Sequence, residues 1–133
     1  MTGKKSLYDR LGGEPAITAV CDDFIDRAAK NPKVNFFRKD VPGYPEWKPS
    51  PAELATFRKH LIQFVEVAAG GPQKYEGRSM KEVHKGQKIT SAQFDAAAAD
   101  LAASLDKFKV PAAEKNELLT AVAGTKKDIV EIN

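Results

Sequence analysis

The sequence contains a single cysteine, Cys21, and no Cys-x-x-Cys pair. An internal disulfide and a cysteine-based structural zinc site are therefore excluded. No Walker-type phosphate loop is present, and no glycine-rich turn follows a predicted strand. Cys21 lies among apolar residues at helical spacing, which is typical of a buried thiol that acts as a small hydrophobe rather than as a nucleophile.

Long apolar runs and a strong excess of one charge are also absent. No run approaches the roughly 20 apolar residues that a bilayer-spanning helix needs, and the first residues do not form a signal-peptide core. The net charge of +3 over 133 residues is too small to predict a nucleic-acid partner. We therefore expect a cytoplasmic, monomeric protein without a membrane or nucleic-acid partner, folded as a single domain over residues 1–133.

Helical periodicity with strong punctuation predicts an all-α fold. Ser6, Ser50, Ser79 and Thr90 each precede an acidic or amide residue by three positions, which is the spacing of a helix N-cap. Apolar residues recur with a period near 3.6 in three long segments, namely Ile17, Val20, Cys21, Phe24 and Ala28; Leu54, Phe57, Leu61, Phe64, Val65 and Ala68; and Phe94, Ala97, Ala98, Leu101, Leu105 and Phe108.

The remaining expectations concern the ends of helices and the loops. Asn31-Pro32 is expected to end the second helix, and Gly86 the short fourth one. Gly124 is expected to weaken the last helix, which would otherwise continue to Ile129. Most acidic residues are expected on outer helical faces. The long loop over residues 38–50 holds Tyr44 and Trp47, so it is either functional or packed by its own aromatic side chains.

The candidates for chemistry are two histidines, His60 and His84. Periodicity alone favours a satisfied core or surface residue for His84 and a polar edge residue for His60. Two imidazoles on different helices can also approach a flat haem from opposite sides. The seven phenylalanines of the chain would then line an apolar slot. Periodicity permits both interpretations.

Several strings, in this order and spacing, resemble one family, the group I truncated haemoglobins. They cover nearly the whole chain and comprise Leu7-Tyr8-Asp9-Arg10-Leu11-Gly12-Gly13, Asp23-Phe24, Phe36-Phe37, Gly70-Gly71-Pro72 with Tyr75 and Gly77-Arg78, Ser79-Met80-Lys81-Glu82-Val83-His84, and Ile89-Thr90 with Phe94. The resemblance implies a truncated globin fold, a two-over-two helical sandwich around haem b.

The resemblance also implies roles for individual residues. His84 matches the proximal ligand of the haem iron, and Phe37 matches a phenylalanine that packs on the haem. Other positions match the lining of the pocket or the haem edge, where propionates accept hydrogen bonds and attract positive charge. These residues are Phe24, Phe64, Met80, Val83 and Phe94 in the lining, and Tyr75, Arg78 and Lys81 at the edge.

The sequence departs from the family pattern on the distal side. Ile25 stands where dioxygen-binding members usually have a tyrosine, and Phe57 and Leu61 stand at the usual glutamine positions. Each lost charge-assisted hydrogen bond to a bound ligand is worth on the order of 1.5–3 kcal/mol. Tight dioxygen storage through the family's usual network is therefore not expected. His60 matches the position of the second iron ligand in some hexacoordinate members.

These features predict a haem globin that binds a diatomic gas (O₂, NO or CO) or exchanges electrons with a reductase. A binding protein is favoured over an enzyme, although nitric oxide dioxygenation or reduction of peroxide or nitrite is an alternative. A non-haem helical interaction module is the second alternative. Some relatives bond a last-helix histidine to the haem, and the matching stretch, Gly124-Thr125-Lys126-Lys127, contains none. Non-covalent haem is therefore expected.

Overall fold

The computed structural model describes residues 6–132, so residues 1–5 and 133 of the expected domain lie outside the described residues. Seven helices form within this range. They are α1 (Leu7–Leu11), α2 (Gly13–Lys30), α3 (Pro51–Ala68), α4 (Met80–His84), α5 (Ser91–Lys107), α6 (Ala112–Ala123) and α7 (Lys126–Ile129). Between residues 6 and 132 the only β pairing is one isolated bridge between Thr90 and Ile132, so the all-α prediction is confirmed.

Helix starts follow the predicted capping chemistry. The hydroxyl of Ser6 accepts a hydrogen bond from Asp9 N–H, and that of Ser79 accepts one from Glu82 N–H. Reciprocal capping boxes begin the two long helices α3 and α5, at Ser50 and Thr90. Each cap satisfies backbone donors that would otherwise lack partners, typically worth about 1 kcal/mol. Local sequence therefore fixes where these helices begin.

Helix ends agree less closely with the predictions. The second helix ends at Lys30 with Asn31 as its C-cap, as expected. The fourth helix ends at His84, two residues before Gly86, which adopts a left-handed φ of 85° in the following turn. The expected last helix is divided, because the chain turns at Gly124 and Thr125 before α7 begins. Ile129 therefore belongs to a separate helix.

The four long helices form the framework. α2 packs against both α3 and α5, and α5 packs against α6. Their contact region buries one apolar cluster contributed by α1, α2, α3, α5 and α6, together with Ala69 just after α3. Its buried members are Leu7, Ile17, Val20, Cys21, Val65, Ala69, Leu101, Leu105 and Leu118. Cys21 is among them, and burial raises the pKa of its thiol to about 12, which agrees with the predicted inert role.

Two residues of the predicted apolar stripes are exposed instead. Leu54 lies in the first turn of α3 and is 38 % exposed, while Phe108 is the C-cap of α5. Both lie at the ends of their helices. Helical periodicity identifies the buried face, and helix packing decides how far along the helix that face is covered.

Two acidic side chains are exceptions to the outer-face placement expected for most acidic residues. Asp23 on α2 accepts hydrogen bonds from Ser104 Oγ at 2.6 Å and Arg27 Nε at 2.6 Å. The hydrogen bond from Ser104 is the largest cause of a pKa of Asp23 well below its usual range, and the hydrogen bond from Arg27 acts in the same direction. The Asp23–Ser104 bond joins α2 to α5. Glu66 on α3 is only 2 % exposed, and its Oε2 has no hydrogen-bond partner among the described residues.

Burial of Glu66 leads to a pH-dependent prediction. Burial, with a smaller contribution from the charge of Glu14, raises the pKa of Glu66. A raised folded-state pKa stabilises the fold below the unfolded pKa of about 4.3, and this contribution is lost as the pH rises through the folded pKa. We therefore expect Glu66→Gln to gain stability relative to the wild type between pH 4 and pH 7. The measurement is the urea midpoint of both proteins at the two pH values.

A matched control separates this effect from any change in overall charge. Glu46 is an exposed carboxylate in the loop between α2 and α3. The difference in urea midpoint between Glu46→Gln and the wild type should be the same at pH 4 and at pH 7. The account of Glu66 is wrong if its glutamine variant behaves as Glu46→Gln does.

Candidate functional site

His84 is the last residue of the short helix α4. The helix begins at the Ser79 cap, and one and a half turns later it presents a half-buried imidazole. The Nδ1 atom of His84 lies 2.7 Å from the carbonyl oxygen of Met80. Because a carbonyl can only accept, this contact assigns the proton to Nδ1.

The surroundings of His84 favour the neutral ring. Burial lowers the pKa of His84 below its usual value, and the positive charge of Arg38 acts in the same direction. Nε2 of this tautomer carries a free lone pair, and none of the described residues supplies it with a hydrogen-bond partner. A neutral imidazole with Nδ1 held by a carbonyl is the form that binds transition metals through Nε2.

His60 lies on α3 and is half-buried. Its ring meets that of Tyr75 edge to face, with centroids 6.0 Å apart, and Phe64 contacts the same tyrosine at 5.9 Å. Neither nitrogen of His60 has a hydrogen-bond partner within residues 6–132. The imidazole is thus held by ring packing and keeps both nitrogens available.

Tyr75 lies in the irregular segment between α3 and α4. Its hydroxyl donates a hydrogen bond to the carbonyl of Arg78 at 2.6 Å. A Cβ at Gly77 would collide with the Tyr75 ring, so glycine is required for this close approach. In this segment Tyr75 packs against His60, while the side chains of Arg78 and Lys81 remain exposed.

The loop over residues 38–50 is packed by aromatic side chains. The ring centroid of Trp47 lies 5.6 Å from that of Phe36 and 5.6 Å from that of Phe57 on α3. The ring centroids of Phe36 and Phe37 are 5.0 Å apart. The backbone N–H of Trp47 also donates to the carbonyl of Phe37 at 2.8 Å. The expected packing by the loop's own aromatic residues is confirmed for Trp47. The same contacts fix Phe37 relative to α3.

The remaining candidate positions lie on α2, α3, α4 and α5. Phe24, Leu61 and Phe64 pack against the apolar cluster, and Phe94 is buried on α5. Met80 and Val83 are half-buried on α4. Ile25 is half-buried on α2. The positions at which the resemblance places polar distal residues therefore carry only apolar side chains, Ile25, Phe57 and Leu61.

This donor set fits a haem. One imidazole on α3 and one on α4 can serve as nitrogen ligands, and the surrounding side chains are aromatic or aliphatic, as a porphyrin requires. Over residues 6–132 there is no cluster of three or more His, Cys, Asp or Glu side chains that could bind another metal ion. No described helix is both long and apolar enough to cross a bilayer.

A separate apolar cavity of about 190 Å³ is lined by residues of α1, α2, α3, α5 and α6. Val20, Leu105 and Leu118 are among the residues that line it. No lining residue is one of the candidate site residues. The cavity is therefore a packing feature of the core and not part of the site.

The sequence analysis did not identify two charged residues that the structure brings to the α4 region. Arg38, from the loop after Phe37, donates hydrogen bonds to the carbonyls of Gln87 and Lys88. Glu131, after α7, accepts hydrogen bonds from the N–H groups of Gly86 and Lys88. Both contacts join segments more than 40 residues apart, and no periodic pattern marks them.

Comparison with known proteins identifies the family of the chain. A family model described as bacterial-like globin matches residues 6–131. The chain is 34 % identical over 110 residues to a group 1 truncated haemoglobin of a Synechocystis strain, covering 80 % of each chain. It is 29 % identical over 130 residues to that of Tetrahymena pyriformis, covering 98 % of each.

Solved structures give the same assignment for the fold. The ferric truncated haemoglobin of Tetrahymena pyriformis superposes with a TM-score of 0.80 at 29 % identity, covering 95 % of this chain and 98 % of that one. A 2/2 haemoglobin of a Synechococcus species, solved in the cyanomet state with covalently attached haem, gives 0.78 at 26 % identity and the same coverage. The expected two-over-two globin fold is therefore confirmed, and the chain belongs to the group 1 truncated haemoglobins.

Proposed function

We propose that this truncated haemoglobin binds haem b non-covalently, with His84 as the proximal ligand and His60 as a displaceable sixth ligand. The observation that carries the proposal is the state of His84, with Nδ1 donating to Met80 O and Nε2 free. Bound haem would supply an iron centre for a diatomic gas and a one-electron redox couple. His60 would limit access of external ligands to that centre.

The properties of His60 support its role as the sixth ligand. It lies on a different helix from His84, it has no hydrogen-bond partner among the described residues, and its ring is oriented by Tyr75. Its neighbours at the distal positions, Phe57 and Leu61, offer no competing ligand. An external gas must therefore compete with His60, and its apparent affinity falls by the fraction of protein in which His60 has moved away.

Non-covalent attachment follows from the histidine content. The chain contains two histidines, and both are assigned to the iron in this proposal. The stretch that matches the covalently linked histidine of some relatives, residues 124–127, contains none. Haem should therefore be extracted quantitatively by acidified organic solvent.

Binding of a gas or transfer of electrons is better supported than dioxygenase activity. A nitric oxide dioxygenase must hold dioxygen until nitric oxide arrives, which calls for hydrogen-bond donors beside the bound gas. Ile25, Phe57 and Leu61 supply none. Bis-histidine ligation keeps the same ligands in the ferric and ferrous states, which suits electron transfer with a reductase or other redox partner.

The spectrum of the haem-loaded protein tests the role of His60. We expect sharp low-spin bands in the ferric and dithionite-reduced wild type, and high-spin bands in His60→Ala. If His60 occupies the iron more than nine-tenths of the time, removing it should raise the apparent affinity for carbon monoxide by about tenfold or more. Visible absorption in both oxidation states and carbon monoxide titration measure these effects.

Lys59→Ala is the matched control. Lys59 precedes His60 on α3, and its ammonium pairs with Glu76 at 3.1 Å on the exposed face. This variant should keep the low-spin spectrum of the wild type. High-spin bands in both the wild type and His60→Ala would remove His60 from the iron, while leaving the assignment of His84 intact.

A further inference from the structure

The turn over residues 86–88, which follows His84, is bonded to the end of α4. The backbone N–H of Gln87 donates to the carbonyl of His84 at 3.1 Å. The side-chain amide of Gln87 donates to the carbonyl of Val83 at 2.9 Å. A displacement of this turn would therefore also displace the last turn of α4, which carries His84.

Arg38 binds this turn from its carbonyl side. One guanidinium nitrogen, Nη2, donates to Gln87 O at 2.9 Å and to Lys88 O at 3.4 Å. The other, Nη1, donates to Asn35 O at 3.1 Å. Arg38 thus joins the loop that carries Phe37 to the segment that follows His84.

Glu131 binds the same turn from its amide side. Its two carboxylate oxygens accept hydrogen bonds from Gly86 N–H at 3.1 Å and Lys88 N–H at 2.8 Å. These bonds lower the pKa of Glu131, so it is ionised at neutral pH. The turn is therefore held between a guanidinium and a carboxylate that come from distant parts of the chain.

The two charges differ in their surroundings. Arg38 is only 5 % exposed, its Nε has no hydrogen-bond partner, and no carboxylate pairs with it among the described residues. Glu131 is exposed to solvent. Because solvent screens the carboxylate and not the buried guanidinium, Arg38 has the stronger electrostatic effect on its surroundings.

We propose that Arg38 and Glu131 are positioning residues that hold the turn after His84 and act in opposite directions on the ferric–ferrous balance at that ligand. The inference rests on the proposed role of His84. A positive charge near the imidazole disfavours the additional positive charge of the ferric state, and a negative charge favours it.

The midpoint potential of the haem-loaded protein tests the inference. We expect Arg38→Gln to lower the potential and Glu131→Gln to raise it, with the larger change for Arg38. The expected change in the ferrous-to-ferric ratio at fixed potential is about threefold to tenfold for Arg38, where tenfold corresponds to about 59 mV for one electron. Arg38→Lys keeps the positive charge, so its midpoint potential should stay closer to that of the wild type than the potential of Arg38→Gln does.

Two further measurements separate electrostatics from a loss of structure. Lys30→Gln removes one positive charge from an exposed pair with Asp26 on α2 and should leave the potential unchanged. Glu131→Gln should accelerate hydrogen exchange at the Gly86 and Lys88 amides, because the neutral side chain is a weaker acceptor. If Arg38→Gln does not fold, Glu131→Gln still tests the sign expected for the carboxylate, and Arg38→Lys should keep a potential close to that of the wild type.

The outcomes distinguish this inference from the proposed function. Equal effects of Arg38→Gln and Lys30→Gln, or shifts of the same sign for Arg38→Gln and Glu131→Gln, would overturn the inference while the haem remains bound. A wild-type protein that takes up no haem would overturn the proposed function and this inference with it.

Discussion

Replacement of His84 by glycine is expected to abolish stoichiometric haem retention. The imidazole is the only nitrogen ligand on α4, and Nδ1 is already committed to Met80 O, so the bond from Nε2 has no substitute on that side. Loss even of a residue that orients a metal ligand typically costs 10–100-fold in affinity, and loss of the ligand itself should cost at least about 100-fold. Titration of the apoprotein with hemin, followed at the Soret band, measures this change.

Rescue and control variants make the result specific to ligation. Free imidazole should restore haem uptake to His84→Gly, because it can occupy the space of the deleted ring and bind the iron in its place. His60→Ala should retain haem with near wild-type stoichiometry, because His84 is unchanged. Equal haem uptake by wild type and His84→Gly, without imidazole, would refute the assignment of the proximal ligand.

The second large effect is expected in the core. Leu105 on α5 is fully buried, and the apolar cluster around it includes Leu101 and Leu118. Leu105→Ala removes buried methyl groups at the contact of α2, α5 and α6 and should destabilise the fold by about 2–5 kcal/mol. Because whole domains are stable by only about 5–15 kcal/mol, this is a large fraction of the total. Urea unfolding of the apoprotein followed by circular dichroism measures it.

Leu54→Ala provides the matched control for Leu105→Ala. The same chemical change is made at a leucine that is 38 % exposed at the start of α3. Its expected effect is within about 0.5 kcal/mol of the wild type. A similar loss of stability in both variants would show that the core does not lie where the structure places it.

The helix starts and the all-α class could be predicted because they depend on residues that are close together in the sequence. Capping at Ser6, Ser50 and Thr90 depends on residues three positions apart, so the signal is contained in the local sequence. The periodicity of α2 and α5 likewise depends on residues within one helix. Interactions of this range can be read without knowing how the helices pack.

Features that depend on contacts between helices were not predictable in the same way. Glu66 falls on α3 at a position that neighbouring helices cover, and periodicity does not show that a charged residue is buried there. Leu54 and Phe108 continue the apolar stripes of α3 and α5, and periodicity does not show that both are exposed at the helix ends. The division of α6 from α7 was anticipated only as a weakness at Gly124, because one glycine does not determine whether a helix continues.

The candidate site likewise combines features that the local sequence shows with features that depend on contacts between distant segments. Periodicity did not distinguish His84 from an ordinary core residue, and its assignment as a ligand rested on the order of several family strings. The structure adds the Nδ1 contact with Met80 O, the contact of His60 with Tyr75, and the charges of Arg38 and Glu131 around the following turn. The Arg38 and Glu131 contacts join residues more than 40 positions apart, which no local pattern encodes.

Titration of the purified apoprotein with hemin tests the central claim most directly. If the protein is a haem globin, we expect the Soret band to sharpen and to saturate at one haem per chain. The spectrum should also show bands characteristic of histidine ligation. A shallow, unsaturated rise like that of hemin in buffer, from a protein that was colourless when purified, would contradict the haem assignment and favour a helical interaction module instead.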